Sequence, residues 1–211
     1  MKSILVICSH PDDEVFGVGG TIAKYSEEGY KVHVVIFSYG ERSHPWIKDS
    51  ITKEIRIKES KAAGEIIGCD ETIFFGLKEG KFAEEAEEKN ISSMIKKIIL
   101  KRKPEKIFTH SSDDPLPDHQ EVFKAVMSSV EKISKKYEVY CFEVWNPVNL
   151  KKRNLPRLYV PISLEKKLSA LKCFHSQTLS MISLLWTVYV RAIKAGLQSG
   201  SRFAEVFYKV R

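Results

Sequence analysis

With 211 residues, 43% hydrophobic and 29% charged, the chain has the balance of a soluble globular protein and the length of a single domain spanning 1–211. Its longest uncharged stretch, Thr178 to Val190, is too short to cross a bilayer, and its first apolar run is too short for a secretory leader; four scattered cysteines (Cys8, Cys69, Cys141, Cys173) argue against a disulfide framework or thiolate zinc, so a cytoplasmic protein is expected. The net charge of +7 suits an anionic partner, either nucleic acid or a phosphorylated small molecule, and composition does not choose between them.

In chain order, Ile4 to Cys8 is a short apolar run that reads as a buried strand. Ser9-His10-Pro11-Asp12-Asp13-Glu14 follows, then Gly17 and Gly19-Gly20, and a helix is expected over Thr21 to Gly29. Lys31 to Ser38 is a β-branched strand, and Arg42 to Lys48 a loop around His44-Pro45-Trp46. With Ser50 as N-cap, a helix should run to Gly68 and bury Ile51, Ile55, Ala62, Ala63, Ile66 and Ile67. Thr72 to Phe75 is a strand, and Glu84 to Arg102 one charged helix with Ile91, Met94, Ile95, Ile98 and Ile99 inward. Lys106 to Thr109 is a strand, His119 to Lys136 a helix and Glu138 to Trp145 a strand. This alternation predicts an α/β protein, a doubly wound three-layer (αβα), mostly parallel sheet. The carboxyl third is elaborated: a strand at Arg157 to Pro161, a helix at Leu164 to Phe174, a helix over Thr178 to Ala195 that is apolar on nearly all sides, and a terminal strand at Phe203 to Val210. A helix of the Thr178 kind is expected in the core or a homo-oligomer, with membrane-surface contact the lesser alternative.

Chemistry concentrates in two clusters. Three adjacent carboxylates at the end of the first strand repel one another, the following helix dipole offsets only part of that, and a cation would offset the rest. His110-Ser111-Ser112-Asp113-Asp114-Pro115-Leu116-Pro117-Asp118-His119 ends the Lys106–Thr109 strand, so a parallel sheet brings it to the same edge. His10 and Asp13 with His119 would supply two imidazoles and a carboxylate, a set suited to hydrolytic zinc or non-haem iron, and Asp12 is left to take a proton from water. Each residue also has a plain reading. His10 and His119 could be polar residues at element ends, Glu14 a first-turn acid, and Asp113 and Asp114 a solvated turn. Asp118 could be the N-cap of a helix starting at His119, in a capping box with Glu121.

The first motif, with Pro117-Asp118-His119, resembles the PIG-L / LmbE-like de-N-acetylases. The similarity continues through Arg56-x-x-Glu59, Ala62-Ala63 and Ile67-Gly68 to His175-Ser176-Gln177 and Ala204-Glu205-Val206-Phe207. The resemblance implies a Rossmann-like fold and a zinc-dependent hydrolase (Fe2+ or another divalent metal being the alternative) that removes acetyl from an N-acetylglucosamine-containing conjugate. It puts the metal on His10, Asp13 and His119 and the general base on Asp12; Glu14 and Asp118 are expected to support them from behind. Many members carry a histidine, proposed to steady the oxyanion, where this chain has Leu116; His110 is the expected substitute. Arg56, Trp46 and His175 are expected substrate contacts, the plain reading of Arg56 being an exposed salt bridge with Glu59. Gly17 and Gly19-Gly20 would let the helix approach closely and leave space for a sugar.

Three rival classes remain at this level: a nucleotide-binding module built on Gly17-x-Gly19-Gly20, a non-haem iron oxygenase using His10-x-Asp12 with His119, and a non-catalytic protein on the same fold. The expected partner is a small N-acetylglucosaminyl conjugate rather than nucleic acid. The basic run Lys151-Lys152-Arg153 favours one that bears phosphate, although such a run is usually a solvated surface.

Overall fold

The first apolar run forms β1 (Ser3–Cys8), buried from end to end in the computed structural model, which describes residues 2–43, 46–145 and 154–211. Its side chains alternate as a strand requires: Ile4, Val6 and Cys8 join one core cluster, Leu5 and Ile7 another. Both faces are covered by helices, which is why the run shows no polar alternation.

Beside β1 lie β2 (Lys31–Ile36), β3 (Glu71–Phe74), β4 (Lys106–His110), β5 (Glu138–Phe142), β6 (Arg157–Pro161) and β7 (Ala204–Lys209). They form one seven-stranded sheet in the order β3-β2-β1-β4-β5-β7-β6. The first five are mutually parallel, and β7 runs antiparallel to both β5 and β6. On one face pack α1 (Asp13–Glu27), α2 (Asp49–Ile67), α6 (Leu164–Leu171) and α7 (Thr178–Ser199). On the other pack α3 (Phe82–Glu88), α4 (Ile91–Arg102) and α5 (Pro117–Glu131). The expected three-layer, mostly parallel architecture with an elaborated carboxyl third is the one observed.

Several expected details differ. The charged helix is two helices, because Asn90 adopts a left-handed conformation (φ 51°) between α3 and α4; Met94 is exposed. The first helix begins at Asp13, so the acids lie in its first turn, where the dipole favours them. Lys48, not Ser50, occupies the N-cap of α2. Of the stripe assigned to α2, Ala63 and Ile67 are buried, but Ile51, Ile55 and Ile66 are 50%, 36% and 41% exposed and Ala62 faces solvent. The buried face carries Thr52, Arg56, Glu59 and Ser60, because it looks onto the acidic turn after β1. His44-Pro45 and the Lys151-Lys152-Arg153 run lie outside the described residues.

The strand order sets the location of the site. From β1 the chain moves outward through β2 to β3, then returns to β4 on the other side of β1. The carboxyl ends of β1 and β4 therefore flank the switch point of the sheet, where the diverging connections leave a crevice. Ile4 to Ile7 pair with Lys106 to Thr109, so the two chemistry-bearing loops leave adjacent strands side by side.

Candidate metal centre

At that switch point one ligand atom each from His10, Asp13 and His119 lies within 4.8 Å of the others. Asp13 is the hub. Its Oδ2 accepts the His10 backbone N–H at 2.9 Å and lies 3.4 Å from His10 Nδ1, 3.4 Å from His119 Nε2 and 3.3 Å from His110 Nε2. His119 is fully buried, and neither its Nε2 nor its Nδ1 makes a well-aligned hydrogen bond. A buried imidazole nitrogen with no partner, aimed at a carboxylate and close to a second imidazole, fits a divalent cation.

The proton balance of the cluster agrees. Burial disfavours charge on each histidine, yet Asp118 and Asp13 outweigh it at His10, which is raised to about 10. At His119 burial is likewise outweighed, chiefly by Asp13 and Asp114, and the group rises to about 9. Asp13 is held well below the usual carboxylate range: His119 and His110 overcome the effect of its burial. The side chains by themselves carry excess negative charge and bind protons to offset it; a cation would take the place of those protons.

Asp12 stands beside the set on a strained backbone, with φ 119° and ψ −31°. Three neighbours hold it there. Glu14 Oε2 accepts its N–H at 2.8 Å, and the Ser60 hydroxyl donates to Glu14 Oε1 at 2.8 Å. Arg56 Nη2 donates to the Pro11 carbonyl and lies 3.2 Å from Asp12 Oδ2. Burial raises the Asp12 carboxyl to about 6; the Arg56 charge opposes this and Asp13 adds to it. A carboxyl raised by burial toward neutral pH is suited to exchange protons with water there.

A scan of the sequence against family models matches residues 5–130 to the PIG-L family, described as GlcNAc-PI de-N-acetylase. The chain belongs to this family. The matched span carries both loops of the cluster, and the hydrolase class expected from the motif is the class of the PIG-L enzymes. Among curated relatives, a 4-oxalmesaconate hydratase from Pseudomonas putida is 31% identical over 94% of this chain and 81% of its own length. Diacetylchitobiose deacetylase from Thermococcus kodakarensis is 25% identical over 97% of this chain and 82% of its own. Among solved structures, GalB, the 4-carboxy-2-hydroxymuconate hydratase of Pseudomonas putida, superposes with a TM-score of 0.83 at 27% identity, covering 100% of this chain and 97% of that one.

The remaining expected site residues are placed variously. Arg56 is buried on Asp12; Glu59 instead accepts from the amide and hydroxyl of Ser176, at 2.7 and 2.6 Å, so the exposed Arg56–Glu59 pair is corrected. Asp118 is no cap. Pro117 opens α5, Leu116 occupies the N-cap, and the Asp118 carboxylate accepts the Gly80 N–H at 3.0 Å and lies 3.4 Å from His10 Nε2. His110 is fully enclosed, stacked on His119 with ring centroids 3.8 Å apart, and its Nε2 accepts the Ser9 N–H at 3.1 Å. Burial first, and the neighbouring His119, lower it to about 4, so it is a neutral imidazole at the wall of the site. Trp46 is exposed, as is His175, and neither belongs to the buried cluster. Gly17 allows the close approach expected of it, since a Cβ there would lie 2.3 Å from Phe142; the same ring fills the space foreseen for a sugar.

The solvated-turn alternative does not hold for Asp114. Asp114 is buried at 1% exposure, and its Oδ1 lies 3.0 Å from His119 Nδ1. His119 is thus bracketed by Asp114 at one nitrogen and Asp13 at the other.

Proposed function

We propose that the chain is a zinc-dependent hydrolase, a single domain over 1–211, that removes the N-acetyl group from a small N-acetylglucosamine-containing conjugate. The observation that carries this reading is the convergence of His10, Asp13 and His119 at the switch point, with Asp12 near enough for its carboxyl to feel the charges of Asp13 and His10. His10, Asp13 and His119 would hold the metal; two imidazoles and a carboxylate suit zinc, and also accept Fe2+. When bound, such a cation polarises the acetamide carbonyl and acidifies water. Asp12 takes the proton of the attacking water and, once protonated, returns it to the departing amine nitrogen, so that acetate and a free amino sugar leave. Arg56 keeps Asp12 aimed at the reacting atoms, and the strained backbone held by Glu14 prevents its carboxylate from swinging away.

Supporting observations are the family membership and the deacetylase among the relatives. A phosphate-bearing conjugate agrees with the net charge of +7, and a cytoplasmic location with four free cysteines; no described helix is long and apolar enough to cross a membrane. Nucleic acid is not part of this reading. Replacing Asp12 by Asn should lower turnover of an N-acetylglucosaminyl conjugate by roughly 10²–10⁴-fold with zinc content unchanged. Amine release at the unsubstituted rate would remove Asp12 from the role of base.

A second reading is favoured by the Pseudomonas putida hydratase, whose 31% identity extends over 94% of the chain. The same base and cation could add water across a carbon–carbon double bond conjugated to a carboxylate. Free-amine assays on N-acetylglucosaminyl conjugates, run beside the hydration of 4-oxalmesaconate, separate the two: activity on the unsaturated acid alone would replace the deacetylase reading.

A further inference from the structure

α7 is apolar on two opposite faces. Leu184, Val188, Ala192 and Ala195 point inward and are buried in the core of this chain. Turned away from them stand Leu179, Ile182, Trp186, Tyr189 and Ile193, and beyond these Leu197. Leu179, Ile182, Trp186 and Leu197 are 82%, 72%, 54% and 80% exposed, an unusual state for side chains of this size.

From the structure we propose that this outer face of α7 is a self-association surface, covered by α7 of a second copy of the same chain. Spacing supports a helix as the occupant. The steps from Leu179 to Ile193 are three, four, three and four residues, the a/d seam that one helix offers to another, sustained over about 27 Å to Leu197. Area points the same way. The six exposed side chains present on the order of 800 Å² per copy, more than the few hundred Å² a monomer usually shows and about one partner's share of a standard interface. Charge bears on which helix it is. Two chains of net charge +7 repel, and the outer seam carries no charged residue, so pairing on it brings no like charges together. A two-fold axis makes such a surface complementary to itself, needing no separate partner.

A lipid surface is the competing occupant, and the helix is poorly made for it. Interfacial helices flank their apolar stripe with several lysines and arginines. α7 carries only Arg191 and Lys194 along its 22 residues, and Arg191 donates inward to the Glu143 carbonyl at 2.7 Å.

Sedimentation of the full chain at tens of micromolar tests the proposal. The expected mass is at least twice the 24.2 kDa of one chain, falling to the single-chain value in Ile182→Glu and in Trp186→Glu, each with an unchanged circular dichroism spectrum. A cysteine at Tyr189 gives a second reading that needs no disruptive charge: mild oxidation should yield a cross-linked dimer that the unsubstituted chain does not form. The unsubstituted chain sedimenting at 24.2 kDa, or an assembly unmoved by both glutamates and uncrosslinked at Tyr189→Cys, would overturn the proposal. So would co-sedimentation of a monomeric chain with phosphatidylglycerol vesicles that is lost in Trp186→Glu.

Discussion

A histidine that binds metal through one nitrogen must keep its proton on the other, and the group facing that second nitrogen decides the matter. At His119 the group is Asp114, 3.0 Å from Nδ1, which leaves Nε2 facing Asp13. Asp114→Asn keeps the size and removes the charge. Zinc affinity should fall by roughly 10–100-fold while the circular dichroism spectrum of the metal-free chain stays that of the parent. A dissociation constant within twofold of the parent would show the contact to be idle. His10, Asp12, Asp13 and His119 were legible in the sequence because they sit in two dense clusters, each at the end of an apolar run. Asp114 was not, since residue type alone does not say that a carboxylate in a loop is buried. Of the two readings of Asp118, support from behind His10 agrees with its position and the cap does not, and a signal separating them was present. Pro117 is pre-set for the first helical position, which places the following aspartate inside the first turn and frees its carboxylate to reach across to Gly80 and His10.

At the level of elements, periodicity found every strand of the sheet and failed where a helix face serves the site. α2 turns Arg56, Glu59 and Ser60 inward and three isoleucines outward, an inversion of the usual stripe that the acids after β1 make favourable. α1 shows a related device. Glu205 on β7 accepts the N–H groups of Gly20 and Thr21, at 3.0 and 2.8 Å, in the middle of the helix. Lys167 on α6 donates to the Phe16 carbonyl at 2.7 Å and to Glu205 Oε1 at 2.6 Å. Both side chains are buried, so neither can exchange its partner for water. This pair ties the elaborated carboxyl third to the helix that carries Asp13 and Glu14. Lys167→Met strands the carboxylate and should cost roughly 3–5 kcal/mol in denaturant unfolding, whereas Lys167→Met combined with Glu205→Gln should recover part of that loss. A single variant as stable as the parent would mean that the pair contributes nothing net.

Across the whole molecule, the parallel order and the meeting of the β1 and β4 loops follow from the strand–helix alternation, which a reader of the sequence can apply. The insertion of β7 between β5 and β6 is different in kind: it is a pairing of distant segments, and no local pattern records it. The same topology would make a metal held by His10, Asp13 and His119 a cross-link. His10 and Asp13 belong to the half of the sheet that grows from β1 toward β3, and His119 to the half that grows from β4 toward β5. An ion held by both halves binds the folded chain and has no comparable site in the unfolded one, so it stabilises by mass action. At a hundred times its dissociation constant, zinc should add about 3 kcal/mol, which for a chain of this length is on the order of 6–12 °C in melting temperature. Scanning calorimetry after chelation and again after zinc is restored measures the shift. Asp13→Asn, which removes the hub carboxylate, should abolish its zinc dependence, because the two imidazoles that remain come from opposite halves with no acid between them. Equal melting temperatures for the stripped and zinc-loaded parent would mean that no ion joins the two halves.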